Sequence, residues 1–144
     1  MAARHVNVVE ELFVLSNRSA TGDADALAEL ASVYHDDASI DSWLTGGQST
    51  ERGAGAVREY FGLVSSYQEW RCVLDYVQDY DGERVLALGS LHAVRPDGVE
   101  QEHAVGWIFT FRDDKVASVK AYASYGDALR AATARIPQPH VNTP

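Results

Sequence analysis

EWRCVLDYVQDYDGERVLALGSLHAVRPDGVEQEHAVGWIFTFRDDKVASVKAYA, residues 69–123, is the stretch on which the fold turns. Apolar and polar residues alternate along it, and Asp81-Gly82, Pro96-Asp97-Gly98 and Arg112-Asp113-Asp114 punctuate it into four segments. A period of two, interrupted by turn residues, is the pattern of long antiparallel strands in a meander. Turn chemistry also sets an expected register. Asp81-Gly82 suits a two-residue type I′ turn, which places Tyr76 opposite Ala87 and Leu74 opposite Gly89. Pro96-Asp97-Gly98 suits a three-residue loop with Gly98 in the left-handed region, placing Ala87 opposite Trp107 and Leu91 opposite His103. A two-residue loop there would instead set His92 opposite His103.

With that register, one sheet face carries Trp70, Cys72, Leu74, Tyr76, Val85, Ala87, Gly89, Leu91, His103, Val105, Trp107, Phe109 and Phe111. The small residues Ala87 and Gly89 leave room for the Trp107 indole. The other face carries Leu86, Leu88, Ser90, His92, Ala104, Gly106 and Ile108, too apolar a strip to stand in water. If helices cover only the first face, the second calls for another sheet, and a homodimer through this convex face supplies it.

Upstream the period lengthens. Val9, Leu12, Phe13 and Ser16 share one helical face, Gly22-Asp23 breaks the segment, and Asp25 is placed to cap a second helix carrying Leu27, Leu30, Ala31 and Tyr34. Residues 38–43 alternate like a short strand that ends at Gly46-Gly47. A third helix starts near Gly53 with Val57, Tyr60, Phe61 and Val64 as its apolar stripe. Downstream, Gly126 to Arg135 forms a short terminal helix. Ile136 to Pro144 holds three of the four prolines and is expected to fray. The order of elements is that of an α+β fold, one domain over residues 1–135 with a frayed tail over 136–144.

Composition agrees and narrows the function. A chain of 144 residues with 46% apolar and 23% charged side chains buries roughly two-thirds of its unfolded surface around one core. Twelve Lys and Arg against 21 Asp and Glu give a net charge of −9, a field that repels nucleic acid and anionic membrane surfaces. One cysteine, Cys72, makes no internal disulfide, and it reads as an inert core thiol. No thiolate cluster suits a metal, and Glu102 and His103, as neighbours on a strand, point to opposite faces. Dinucleotide, phosphate-loop and nucleophile-elbow motifs are absent, so no cofactor is expected. The N-terminus, Met1-Ala2-Ala3-Arg4-His5, lacks an apolar leader core, and the expected compartment is the cytoplasm.

Several pieces in order resemble one family over about Val6 to Ala132: Gly22-Asp23 before a helix; Tyr34-His35-Asp36-Asp37-Ala38-Ser39-Ile40 entering the first strand; Arg52-Gly53-Ala54-Gly55-Ala56-Val57-Arg58-Glu59-Tyr60-Phe61; Phe109-Thr110-Phe111-Arg112-Asp113-Asp114-Lys115-Val116; and Ala121-Tyr122. They are similar to the nuclear-transport-factor-2-like superfamily, which contains ketosteroid isomerases and SnoaL-like polyketide cyclases. The resemblance implies a cone-shaped, curved antiparallel sheet wrapped around three N-terminal helices, with an apolar pocket at one end. Ketosteroid isomerases use an Asp base, a Tyr and a protonated Asp. By the resemblance these positions fall on Ser42, near Leu15 or Ser16, and on Trp107. All three are replaced, and neither a serine lacking a base nor an indole serves as that acid or base.

Chemistry must then come from other groups. His103 stands on the pocket face beside Leu91 and Val105, where an imidazole in an apolar cone acts as base or acid; at an open rim it would only hydrate or pair with a carboxylate. Asp41 replaces it as base if the first strand slips by one residue. Ser42 and one of Tyr60, Tyr34 and Tyr76 are placed to hold an oxyanion, and Trp43, Trp70 and Trp107 to stack on a flat ligand. His92 belongs to the convex face, and His35 and His5 read as surface residues. The expected site is His103, Ser42 and Asp41, with Trp107, Tyr60, Tyr76, Leu91, Trp43, Tyr34 and Phe109 around an apolar or aromatic small molecule. Two readings remain open: cofactor-free isomerisation, dehydration or cyclisation of a carbonyl compound, or a non-catalytic binding or accessory domain.

Overall fold

The computed structural model describes residues 2–44, 49–52, 55–80 and 82–133. The elements are α1 (Ala2–Ser19), α2 (Ala24–Ser32), β1 (Tyr34–Ser42), β2 (Ser49–Arg52), α3 (Ala56–Val64), β3 (Glu69–Asp79), β4 (Arg84–Val94), β5 (Glu100–Arg112), β6 (Lys115–Tyr122) and α4 (Tyr125–Thr133). The Gly46-Gly47 break, the helix start near Gly53, Asp81 and the tail 136–144 lie outside the described residues.

Local chemistry accounts for the helical half. Val9, Leu12, Phe13 and Leu15 form the buried stripe of α1. Gly22, at φ +93°, turns the chain, and the Asp23 carboxylate accepts the Ala26 N–H at 3.0 Å. The cap of α2 is therefore Asp23 rather than Asp25, which sits inside the first turn. Tyr34, expected on that helix, opens β1 instead and is buried there, because α2 ends at Ser32.

The strands form one curved, unclosed sheet in the order β2-β1-β6-β5-β4-β3. Every neighbouring pair is antiparallel except β1 and β6, so the sheet is mixed rather than wholly antiparallel. The β4–β5 register matches the expectation from Pro96-Asp97-Gly98: Ala87 faces Trp107 and Leu91 faces His103. Gly98 is at φ +92°, and its N–H donates to the Arg95 carbonyl at 2.8 Å. The β3–β4 hairpin differs. Tyr80 pairs with Arg84, so the loop is one residue longer than a two-residue turn. A bulge between Leu74 and Tyr76 takes up the extra residue and restores Leu74 opposite Gly89. Beyond the bulge Val77, not Tyr76, faces Ala87, and Tyr76 points outward, 46% exposed.

Helices α1, α2 and α3 fill the concave face, where Val9, Leu30, Val64, Leu91 and Val105 are fully enclosed. The convex face is partly covered within the chain. α4 crosses it, and Leu86, Leu88 and Ile108 bury against Ala128 and Ala132. Gly106 makes this contact possible, since a Cβ there would lie 2.2 Å from the Ala128 Cβ. Gly89 is small for a different reason from the one expected: a Cβ would lie 1.9 Å from the Val73 carbonyl oxygen, beside the bulge, rather than against Trp107. His5 is likewise no surface residue. It is buried, stacked on Phe111 at 4.1 Å, with Nε2 3.3 Å from Asp114.

Candidate functional site

A cavity of about 60 Å³ lies between the concave face and the helices. Phe13 and Ser16 come from α1, Tyr60 and Phe61 from α3, and Ser42 from β1; Trp70 and Cys72 come from β3 and Trp107 and Phe109 from β5. Its size reflects what fills the cone. Trp107 stands edge-on to Phe13 with ring centres 4.8 Å apart, and Phe109 packs on the same ring at 6.1 Å. An apolar cavity of about 150 Å³ accepts benzene, so a six-membered ring enters here only if wall side chains move.

Of the expected pocket residues, Trp107, Tyr60, Tyr34 and Phe109 line the cavity, and so does Ser42. Leu91, Trp43 and His103 do not line it: Leu91 is fully buried, and Trp43 and His103 pack edge to face on each other at 4.9 Å. Tyr76 is turned to the other side of the sheet by the bulge. β1 keeps its expected register: Ser42 is buried inward, while Asp41, which also contributes to the wall, reaches Lys120 with its carboxylate at 3.9 Å. Of the positions carried over from the isomerase pattern, Ser42 and Trp107 line this cavity, and of the pair Leu15 or Ser16 it is Ser16 that does.

The polar content of the wall is concentrated in one pair. Ser42 Oγ and Tyr60 Oη lie 2.9 Å apart, both side chains buried, and the Leu44 N–H donates to Ser42 Oγ at 3.1 Å. Burial pushes the Tyr60 phenol well above its ordinary pKa, with the Ser42 bond opposing; Tyr34 is pushed up by burial and by Tyr60 nearby. Burial also drives the Cys72 thiol up to about 12. These groups hold their protons at neutral pH: they donate hydrogen bonds and do not act as bases or nucleophiles. His92, on the convex face, is held by Glu102 at 2.6 Å and Glu69 at 3.3 Å, away from His103.

Sequence reading missed Phe13 and Leu12 as cavity wall. The signal was present in the α1 stripe, where Leu12 and Ser16 stand one turn apart and both line the cavity. Among the described residues no group of three or more His, Cys, Asp or Glu side chains could hold a metal ion, and no helix is long and apolar enough to cross a membrane.

A family model described as the SnoaL-like domain matches residues 14–119. No curated protein matches the sequence. Solved structures share the fold. SalBIII, an epoxide hydrolase/cyclase-like enzyme in pyran ring formation of the polyether salinomycin, aligns with TM-score 0.68 and 20% identity over 87% of this chain and 94% of its own. A putative polyketide cyclase from Xanthomonas campestris aligns with TM-score 0.66 and 17% identity over 92% and 98%. TerC, co-crystallized with polyporic acid, aligns with TM-score 0.65 and 14% identity over 91% and 99%.

Proposed function

The chain belongs to the SnoaL-like domain family, and from that premise we propose that it takes a small apolar or aromatic carbonyl compound into the concave cavity, with the carbonyl oxygen at Tyr60. The observation that carries this is the Ser42–Tyr60 hydroxyl pair, buried in an otherwise largely apolar wall. A proton-bearing phenol, held by a serine and shielded from water, is a preorganised donor for an oxygen that gains negative charge. Such a donor favours the enolate over the ketone, which is the step shared by cofactor-independent isomerisation, dehydration and aldol-type cyclisation. Cyclase names among the structural neighbours agree with that class.

The proton removed from carbon needs an acceptor; the wall's phenols and thiol are protonated, and its carboxylate, Asp41, faces Lys120 at 3.9 Å. In the catalytic form of the proposal His103, which packs edge-on to Trp43 and does not itself line the cavity, takes that role once wall side chains move. The same protonated wall favours the second reading, a carrier that binds the carbonyl without turning it over. Cyclohexanone, in water and in deuterium oxide, separates the three outcomes. Binding should exceed that of methylenecyclohexane, its isostere without an acceptor, by about 10-fold, and Tyr60→Phe should erase the difference. If the protein is catalytic, exchange of the protons next to the carbonyl accelerates, and His103→Gln slows it by about 10²- to 10⁴-fold. Binding without exchange establishes the carrier. Equal binding of ketone and isostere overturns the proposal.

Two assembly statements belong to this reading. A homodimer would have a smaller convex footprint than the apolar strip suggests, since α4 takes Leu86, Leu88 and Ile108 and leaves Val73 and Ala104 exposed. Sedimentation equilibrium tests it, a concentration-independent monomer being the contrary result. A cytoplasmic location suits the single buried thiol, Cys72.

A further inference from the structure

The cavity has a second polar feature, on the wall contributed by the other end of the sheet. Trp70 is 93% buried by its 7% exposure and lines the cavity, yet its indole N–H has no hydrogen-bond partner. A buried donor left unmade is costly, and the great majority of such groups are paired. Nothing in the fold itself requires an indole there. The ring is fixed edge-on against Tyr67 at 5.0 Å, a contact that phenylalanine would also make. Beside it stands the Cys72 thiol, which lines the same cavity. The indole draws the thiol pKa slightly back against burial but lies outside hydrogen-bond geometry, and a neutral thiol is a weak acceptor.

Position gives this orphan donor its meaning. Ser42 is on β1, second in the sheet order, and Trp70 is on β3, at the far edge, four strand spacings away. On a flat sheet that separation is about 19 Å at about 4.8 Å per strand. Curvature brings both residues onto one cavity, Ser42 from β1 and Trp70 from β3. We infer that Trp70 is the second anchor of the site, and that the natural ligand carries two hydrogen-bond acceptors, one at each end: a diketone, quinone-like or hydroxy-ketone skeleton held between Tyr60 and the Trp70 indole. This rests on the proposed carbonyl-binding reading and narrows its ligand class.

Cyclohexanone and 1,4-cyclohexanedione form the test pair, matched in ring size and differing in the second acceptor. The dione should bind about 2- to 10-fold tighter. On its addition the Trp70 indole N–H proton resonance, assigned from the through-space contacts of its ring to Tyr67, should move downfield, while cyclohexanone leaves it in place. Trp70→Phe should remove the dione's advantage over cyclohexanone. The indole resonance is read in the unmodified protein, so the measurement stands even if that variant folds poorly. Equal affinities with a stationary indole resonance overturn the inference, and Tyr60-dependent cyclohexanone binding would still uphold the parent reading. Absence of binding by either ketone removes both.

Discussion

On the convex face of the sheet, Leu86, Leu88 and Ile108 are sealed by Ala128 and Ala132 of α4, small side chains that let a helix lie close. On the concave face, Trp107 and Phe109 meet Phe13 edge-on, Trp70 meets Tyr67 edge-on, and a cavity with hydroxyls in its wall remains. Both faces are apolar, so apolarity alone does not separate a packing surface from a site. The difference lies in side-chain size and in polar groups: Gly106 against Ala128 closes one face, and bulky rings with a buried Ser42–Tyr60 pair keep the other open.

The sharpest way to break this contrast is at the two glycines, each serving one face. Gly89→Ala should have the largest effect, about 3 kcal/mol, because its Cβ would meet the Val73 backbone oxygen at 1.9 Å and a strand must move. The denaturation midpoint reads it; an unchanged midpoint would show that the bulge in β3 is not where the structure has it. Gly106→Ala should cost less, about 1 to 3 kcal/mol, because the colliding Ala128 Cβ belongs to a short helix that can lift. Amide protection should fall in α4, with cyclohexanone binding on the other face preserved. Loss of ketone binding would mean that the faces are coupled.

The smallest effect concerns the rim of the convex face. Glu102, then Glu69, raise the His92 pKa above 6.5 by hydrogen bonding to its protonated ring. A histidine whose folded pKa is raised stabilises fully below the unfolded value and ceases to do so as pH climbs through the folded one. The stability advantage of the unmodified protein over His92→Gln should therefore be complete below the ordinary histidine value and shrink as pH rises above it. Because the three side chains reach solvent, the effect is small. An advantage that grows with pH would contradict the assigned bonds.

What was legible in the sequence follows the same division. Pro96-Asp97-Gly98 determines its loop chemically, and the Trp107–Ala87 and His103–Leu91 pairs follow from it. Asp81-Gly82 does not, because the added loop residue is hidden by a compensating bulge after Leu74, and only the outward turn of Tyr76 betrays it. Tyr60 was legible as a pocket residue from the stripe of α3 and Ser42 from the family resemblance, whereas Tyr34 reaches the pocket from β1 and not from the helix on which it was expected. The place of α4 was not, because a stripe of alanines gives a weak periodic signal; Gly106 in an otherwise bulky strand was its only trace. His103 shares the concave face as expected, but its packing on Trp43 depends on where the chain goes after Ser42, which strand pairing does not fix.

The claim that Tyr60 donates to a ligand carbonyl is tested most directly by the carbon-13 resonance of carbonyl-labelled cyclohexanone bound to the protein. A carbonyl accepting a hydrogen bond from a buried phenol should resonate downfield of the ketone in an apolar solvent, and Tyr60→Phe should move the bound signal back upfield. A bound signal already at the apolar-solvent position, unchanged in the variant, would contradict it.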